Sequence, residues 1–293
     1  LQTLENTPVI VHAGPFGNIA HGNSSIIGDM IGIHAGDYLI TEAGFGADMG
    51  AERFFNIKCR TSGLVPDAAV LVTTVRALKA HSGKHKIVAG KALPAELLAE
   101  NPSDVEAGGA NLKKQIENVK AHGVTPVVAI NAFPTDHKSE HDVIRRIAAE
   151  AGARVAVCTH FADGGAGAVD LAKAVVEACQ EENGFHLLYP SDASLKEKIE
   201  TVATKIYGAA KVEYSALANK QLKNYTDNGF AHLPVCIAKT HLSISGDASL
   251  KGAPTGHTLT VREVRASVGA GFIYPICGEM RTLPGLGTKP AAA

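Results

Sequence analysis

Five apolar runs rich in β-branched residues punctuate this chain, and each ends on a polar, chemically capable residue or a Gly-rich turn. They are Pro8 to Val11 leading into His12, Tyr38 to Thr41 into Glu42, Ala69 to Thr74 into Arg76, Pro126 to Ile130 into Asn131, and Val155 to Cys158 into Thr159 and His160. Continuous apolar runs of this length, separated by helix-like stretches, are what a parallel sheet covered on both faces requires. In such sheets ligands sit beyond the carboxyl ends of the strands. The sequence therefore predicts an α/β fold in which His12, Glu42, Arg76, Asn131 and His160 converge on one rim.

The segments between the runs fit that layout. Gly14 to Gly22 is too rich in Gly and Pro to be regular and reads as a loop, after which Asn23 or Ser24 caps a helix through Ile33. A second helix is expected from Asp48 to Cys59, and the stretch from Ser82 to Leu93 reads as mobile. Residues 104–122 carry Val105, Leu112, Ile116 and Val119 at spacings suited to one helical face, with Gly123 as the stop. Helices are also predicted over 138–151 and 168–179. From Pro190 the grammar changes to two helical patterns (195–207 and 215–228), short β-like runs at 234–239 and 258–261, and a Gly- and Pro-rich tail. A division is placed there, with an α/β portion over 1–190 and a smaller α+β portion over 191–293.

With 28 basic and 29 acidic side chains the net charge is near zero, which argues against a nonspecific electrostatic grip on nucleic acid or membrane and for a small-molecule partner. The five cysteines are widely spaced and contain no Cys-x-x-Cys pair, which favours free thiols in a reducing cytoplasm over a zinc site. No run approaches the ~18–20 apolar residues that span a bilayer. The first residues, Leu1-Gln2-Thr3-Leu4, and the abrupt end at Ala293 suggest an internal segment of a longer protein.

Several constellations carry possible chemistry, each beside a plainer reading. Glu42, ahead of Gly44 and Gly46, is placed to hold magnesium or to serve as a loop acid. The Asn131 to Asp136 loop can read a heterocycle through its amide and carboxylate while Phe133 stacks on it, or it can be an Asx-type turn with Asp136 near a helix cap. Phe161, beside the Gly-rich stretch Gly164 to Gly167, offers a second aromatic for a flat slot. His12 is a candidate proton carrier or a hydrogen-bonded structural residue. Arg76 and Lys79 share one face of a helical turn, suited to an anionic substrate or to solvent. No Gly-x-x-x-x-Gly-Lys-Ser/Thr occurs, so any phosphate cradle of that kind comes from elsewhere.

The stretch Val72-Thr73-Thr74-Val75-Arg76-Ala77-Leu78-Lys79-Ala80-His81-Ser82-Gly83 resembles a signature of the formate–tetrahydrofolate ligase family, with Thr73 in place of Ala and Ser82 in place of Gly. Similar blocks are His12 to Gly22, Thr41 to Gly50 with Phe54 to Arg60, Asn131 to Asp136, Ala238-Lys239-Thr240 and Arg265 to Phe272, so the resemblance runs through the whole chain. It implies a P-loop NTPase-like, mostly parallel doubly wound sheet with smaller appended domains, in a homotetramer. It also implies that this chain is the carboxyl-side part of the enzyme, without the P-loop and inactive alone.

The implied reaction joins formate to tetrahydrofolate at the expense of ATP, with Mg2+ and a monovalent cation as further candidates. By the same resemblance Phe133 and Phe161, with Pro134 and Val157, belong to the folate side, Phe161 standing where Trp is common. Asn131, Asp136, Phe54 and Gly44 belong to the nucleotide side. The roles of Arg76, Lys79 and His12 in catalysis and of Glu42 toward metal rest on position alone. The alternatives are a nucleotide-switch protein of the same superfamily and a non-catalytic oligomerisation piece.

Overall fold

The computed structural model describes residues 1–12, 17–87 and 91–278. Of the predicted features, the centre of the first Gly-rich loop, part of the stretch before Leu93 and the Gly- and Pro-rich tail lie outside the described residues.

Three strands, β1 (Ala68–Thr73), β2 (Thr125–Asn131) and β3 (Arg154–Cys158), form a parallel sheet in the order β1-β2-β3. The register runs from Ala68 opposite Thr125 to Thr73 opposite Ile130, and from Val127 opposite Arg154 to Asn131 opposite Cys158. All three strands thus finish on one edge. The central strand is apolar on both faces because both are covered. Val128 and Ile130 enter a core shared with α2 (Val75–His81), α3 (Pro102–Lys120) and α4 (Lys138–Glu150), all after α1 (Ile26–Gly32) in the chain. Val127, Ala129 and Ala156 point the other way, and α5 (Val169–Ala178) lies against the same three strands.

The helix expected over 104–122 forms as Pro102–Lys120, while α1 is capped by Ser25, whose hydroxyl accepts from the Gly28 N–H, rather than by Asn23 or Ser24. Asn101 caps α3 by accepting from the Asp104 backbone N–H at 3.1 Å, Pro102 occupies its first turn, and Val105, Leu112, Ile116 and Val119 are buried. Gly123 follows at φ 76°, the left-handed region that a glycine enters freely. Within α3, Gly108 lets the helix meet α2: a Cβ there would lie 1.8 Å from the Leu78 carbonyl oxygen.

The first two predicted strands do not form, and this corrects the expected rim. Pro8 makes only an isolated bridge to Gln2, Ala43 only one to Asn23, and Ile40 is 89 % exposed. An extended run becomes a strand through ladder hydrogen bonds, and no strand lies beside these two among the described residues. The sheet therefore does not align His12 and Glu42 with the ends of β1, β2 and β3. The outer edge of β1 is likewise open, with Val70 and Val72 exposed.

Between those segments and β1 runs a helical stretch, Gly50–Arg53, then a π-helical Phe54–Cys59, then Arg60–Ser62. Beyond Pro190, α6 (Leu195–Lys205) and α7 (Ala216–Asp227) pack on a second sheet of β4 (Lys211–Tyr214), β5 (Thr258–Ser267) and β6 (Phe272–Cys277). There β4 and β5 are parallel and β5 and β6 antiparallel. The run at 234–239 contributes isolated bridges, Val235 to Ile273 and Ala238 to Ile276, rather than a full strand.

Arg53 ties the two parts together. Its buried guanidinium donates to the carbonyls of Ala20 (3.0 Å), Asn18 (3.1 Å) and Ile237 (2.6 Å) and to the Asn18 side chain (3.2 Å). Beside it Lys239 and Asp48 form a buried ion pair at 2.7 Å. Hydrogen bonds to three carbonyls and an amide give the Arg53 charge the partners that burial otherwise denies it.

Candidate functional site

At the carboxyl edge of the parallel sheet, three short connections meet. After β1, the Thr74 side chain accepts from the Ala77 backbone N–H at 3.1 Å and starts α2, which fixes Arg76 in the first helical turn. After β2, the Ala132 N–H still donates to the Cys158 carbonyl at 3.0 Å, so the ladder carries on one residue past the strand. The chain then closes on itself: the Phe133 N–H donates to the Asp136 carboxylate at 3.0 Å and the Asp136 N–H to the Phe133 carbonyl at 2.9 Å. This is the Asx-type closure foreseen as the plainer reading of the loop.

Onto that loop Arg76 folds across from β1. Its guanidinium carbon lies 3.7 Å from the Phe133 ring centre, and Nη2 donates to the Thr135 hydroxyl at 3.1 Å. Burial alone would raise the Asp136 carboxyl. Hydrogen bonds from His141 (3.3 Å) and the Phe133 backbone, with the nearby Arg76 charge, outweigh it and hold the group below the usual carboxylate range. Asp136 is thus an ionised internal brace.

After β3, His160 Nδ1 lies 2.9 Å from Cys158 Sγ, Thr159 donates to the Asp163 carboxylate at 2.7 Å, and the Thr159 N–H donates to the Gly167 carbonyl at 2.9 Å. A Cβ at Gly167 would lie 2.6 Å from the Thr159 carbonyl carbon, so the glycine is needed for this tight return. Phe161 projects from the turn at 94 % exposure. The edge therefore presents a half-buried ring after β2 and an exposed ring after the neighbouring β3, with Asn131, the last residue of β2, in register with Cys158 of β3.

A family model for formate–tetrahydrofolate ligase matches residues 1–293. The chain belongs to the formate–tetrahydrofolate ligase family. Over its whole length it is 70 % identical to the formate–tetrahydrofolate ligase of Saccharopolyspora erythraea and 62 % identical to that of Cutibacterium acnes, covering 52 % of each. It is also 65 % identical to formate–tetrahydrofolate ligase 3 of Rubrobacter xylanophilus, again over 52 % of that protein. The chain spans about half the length of the curated relatives it matches. Membership sets aside the nucleotide-switch alternative.

Within this ligase segment the other predicted residues lie in different surroundings. Lys79 does not share the exposed face of Arg76. Its ammonium is buried, paired with Glu140 and donating to the carbonyls of Leu97 (3.2 Å) and Ala99 (2.6 Å). Glu140 also accepts from the backbone of Asn101 and His137, and these bonds with the Lys79 charge hold its carboxyl below the usual range against the opposing effect of burial. A lysine so enclosed staples α2 to α4.

Val157 packs against the core under α4, and Pro134 is exposed at the loop tip. Phe54 lies edge-on to Phe55 at 5.8 Å with the Lys58 ammonium 4.8 Å from its ring centre, and Gly44 donates its N–H to the Gly22 carbonyl at 2.8 Å. Phe54 lies in the π-helical turn, packed with Ala69 and Leu71 of β1, and Gly44 lies against Gly50 at the start of the helical stretch before it. His12 is half-buried at the end of its extended run, and Glu42 is exposed. Among the described residues no group of three His, Cys, Asp or Glu could hold a metal by itself, and a lone carboxylate such as Glu42 would bind magnesium only together with water and nucleotide phosphates.

One buried group escaped the sequence reading. Glu52 accepts from Asn56 at 2.9 Å through Oε1, while Oε2 is buried without a hydrogen-bond partner. Burial pushes its carboxyl up to about 7, opposed by the Asn56 hydrogen bond and Arg53 and reinforced by Asp48. Two clefts of about 270 Å3, one between α6 and α7 at Leu195 and Leu222 and one at Ser245, Asp247 and His257, lie away from the strand edge. We place the site at the edge because aromatic, amide and cationic groups converge there. Among the described residues no helix is long and apolar enough to cross a membrane.

Proposed function

We propose that this segment supplies the folate side of an ATP-dependent formate–tetrahydrofolate ligase. In that reaction the carboxylate of formate attacks the γ-phosphate of ATP, giving formyl phosphate and ADP. The folate N10 then attacks the formyl carbon and phosphate leaves. Phosphorylation is required because the oxygen of formate is otherwise a poor leaving group.

The observation that carries the reading is the placement of Phe133 and Phe161 on adjacent ends of β2 and β3. Two rings carried on neighbouring strand-end connections are suited to gripping a flat pterin, while Asn131 keeps its place on the nucleotide side. Pro134 would border the slot. Val157 would support it from beneath, since its side chain is spent on the core. Asp136 would act by bracing Phe133, and Arg76 would place a cation at the edge.

The nucleotide side would be completed by residues outside this segment, with Phe54 and Gly44 as its contacts here. His12 remains a candidate for proton handling. Magnesium would be expected with the nucleotide, with Glu42 as the candidate carboxylate beside the phosphates, and a monovalent cation is a further candidate; no step is assigned to either. The P-loop NTPase-like, doubly wound form of the complete sheet, the homotetramer and the cytoplasmic setting belong to the same reading, the last supported by five free thiols. A division near Pro190 is supported by a second core that starts at Leu188.

The test is Phe133→Ala and Phe161→Ala in the full-length ligase. Each should weaken tetrahydrofolate binding by ~1–3 kcal/mol through lost stacking and burial, with ATP and formate little affected. An equal loss for all three substrates, or none for folate, would refute the assignment.

A further inference from the structure

Arg76 sits where a helix is least hospitable to it. It is the second residue of α2, whose first turn holds no acidic residue, and the exposed N–H groups at that end disfavour a cation. What holds the guanidinium is the neighbouring connection: the Phe133 ring beneath it at 3.7 Å and the Thr135 hydroxyl at 3.1 Å. The same loop is locked from within by Asp136, so ring, hydroxyl and carboxylate form one rigid block with the cation on its flank.

The strand order decides which flank. Arg76 leaves β1, Phe133 leaves β2 and Phe161 leaves β3, in the order β1-β2-β3. The guanidinium thus covers one face of Phe133 from the β1 side, and the opposite face is left toward the β3 connection that carries Phe161. We infer that Arg76 is a positioning residue that backs Phe133, so that guanidinium, Phe133, pterin and Phe161 stack in that sequence. A planar guanidinium both blocks rotation of the ring and draws π density toward itself, which favours an electron-rich partner such as a reduced pterin on the free face. Lysine would supply the charge without the plane.

This inference rests on the folate reading above and replaces a direct role for Arg76 at the reacting groups. Its test is Arg76→Met and Arg76→Lys in the full-length ligase, each alone and combined with Phe133→Ala, with kcat and the KM for tetrahydrofolate, ATP and formate measured. Arg76→Met should raise the tetrahydrofolate KM by about 3- to 10-fold, leaving the other KM values and kcat nearly unchanged. Arg76→Lys should fall between that variant and the parent. Once Phe133 is Ala, Arg76→Met should add nothing.

A kcat loss of the same size with and without Phe133 would mean that the guanidinium acts on the reacting groups, and would overturn the inference. An unmoved folate KM in Arg76→Met would overturn it too. If Phe133→Ala itself leaves the folate KM unchanged, the folate reading fails instead. Should Arg76→Met not fold, Arg76→Lys and Arg76→Gln decide, Gln being expected to keep a flat, polar but uncharged cover and a smaller KM increase.

Discussion

Glu52→Gln isolates the one carboxyl among the described residues whose burial raises its pKa into the neutral pH range. In the folded protein it holds its proton to about 7, against 4.5 when exposed to water, because one oxygen is buried with no partner. The folded state therefore binds the proton more tightly than the unfolded chain does. The stabilisation this brings is fully present below pH 4.5 and is lost as pH rises through 7. The shift corresponds to about 3 kcal/mol, since each pKa unit is worth about 1.4 kcal/mol.

Glutamine keeps an oxygen for Asn56 and cannot titrate. Denaturant unfolding of the full-length ligase and of Glu52→Gln should then be run from pH 5 to 8.5. Near pH 5 the two should be close in stability. By pH 8.5 the variant should be the more stable by about 3 kcal/mol, and groups titrating in both proteins, such as His21 and His81, cancel in the difference. A difference that stays flat with pH, or that turns against glutamine at alkaline pH, would refute the reasoning.

Two further outcomes follow from backbone packing and buried charge. Lys79→Met should cost ~3–5 kcal/mol by leaving Glu140 buried without its cation, and adding Glu140→Gln should recover part of that loss; unfolding midpoints of the single and double variants check this. Gly50→Ala would place a Cβ 1.8 Å from the Gly44 carbonyl oxygen, so the full-length ligase should lose stability and the loop before Asp48 should become more sensitive to proteolysis. A Gly50→Ala protein with the parent's melting behaviour and cleavage pattern would contradict this.

What could be read from the residues alone depended on whether the deciding partner was near in sequence. Val127 to Ile130 announced a central strand because a run apolar on both faces has few other solutions, and the spacing of Val105, Leu112, Ile116 and Val119 with Gly123 announced α3 and its end, though not its start at Asn101-Pro102. Pro8 to Val11 carries the same signal, yet apolar content reports the capacity to pair and not the presence of a neighbour. Lys79 looked like the companion of Arg76 three residues earlier. Its true companion, Glu140, lies 61 positions away, and nothing local marks the pair. The Asn131 loop was legible in its plainer reading, since the structure uses Asp136 for the turn. The stack of Arg76 on the Phe133 ring could not be seen, because it depends on β1 and β2 lying side by side.

The Arg53 knot bears on how this polypeptide could be cut or recombined. A break in the backbone near Pro190 would leave the guanidinium gripping Ile237 with one hand and Asn18 and Ala20 with the other, and Lys239 still locked to Asp48. Grafting either portion onto an unrelated host would strand a charge in a dry interior. In evolution, as in the laboratory, the two portions are therefore obliged to travel as a matched set.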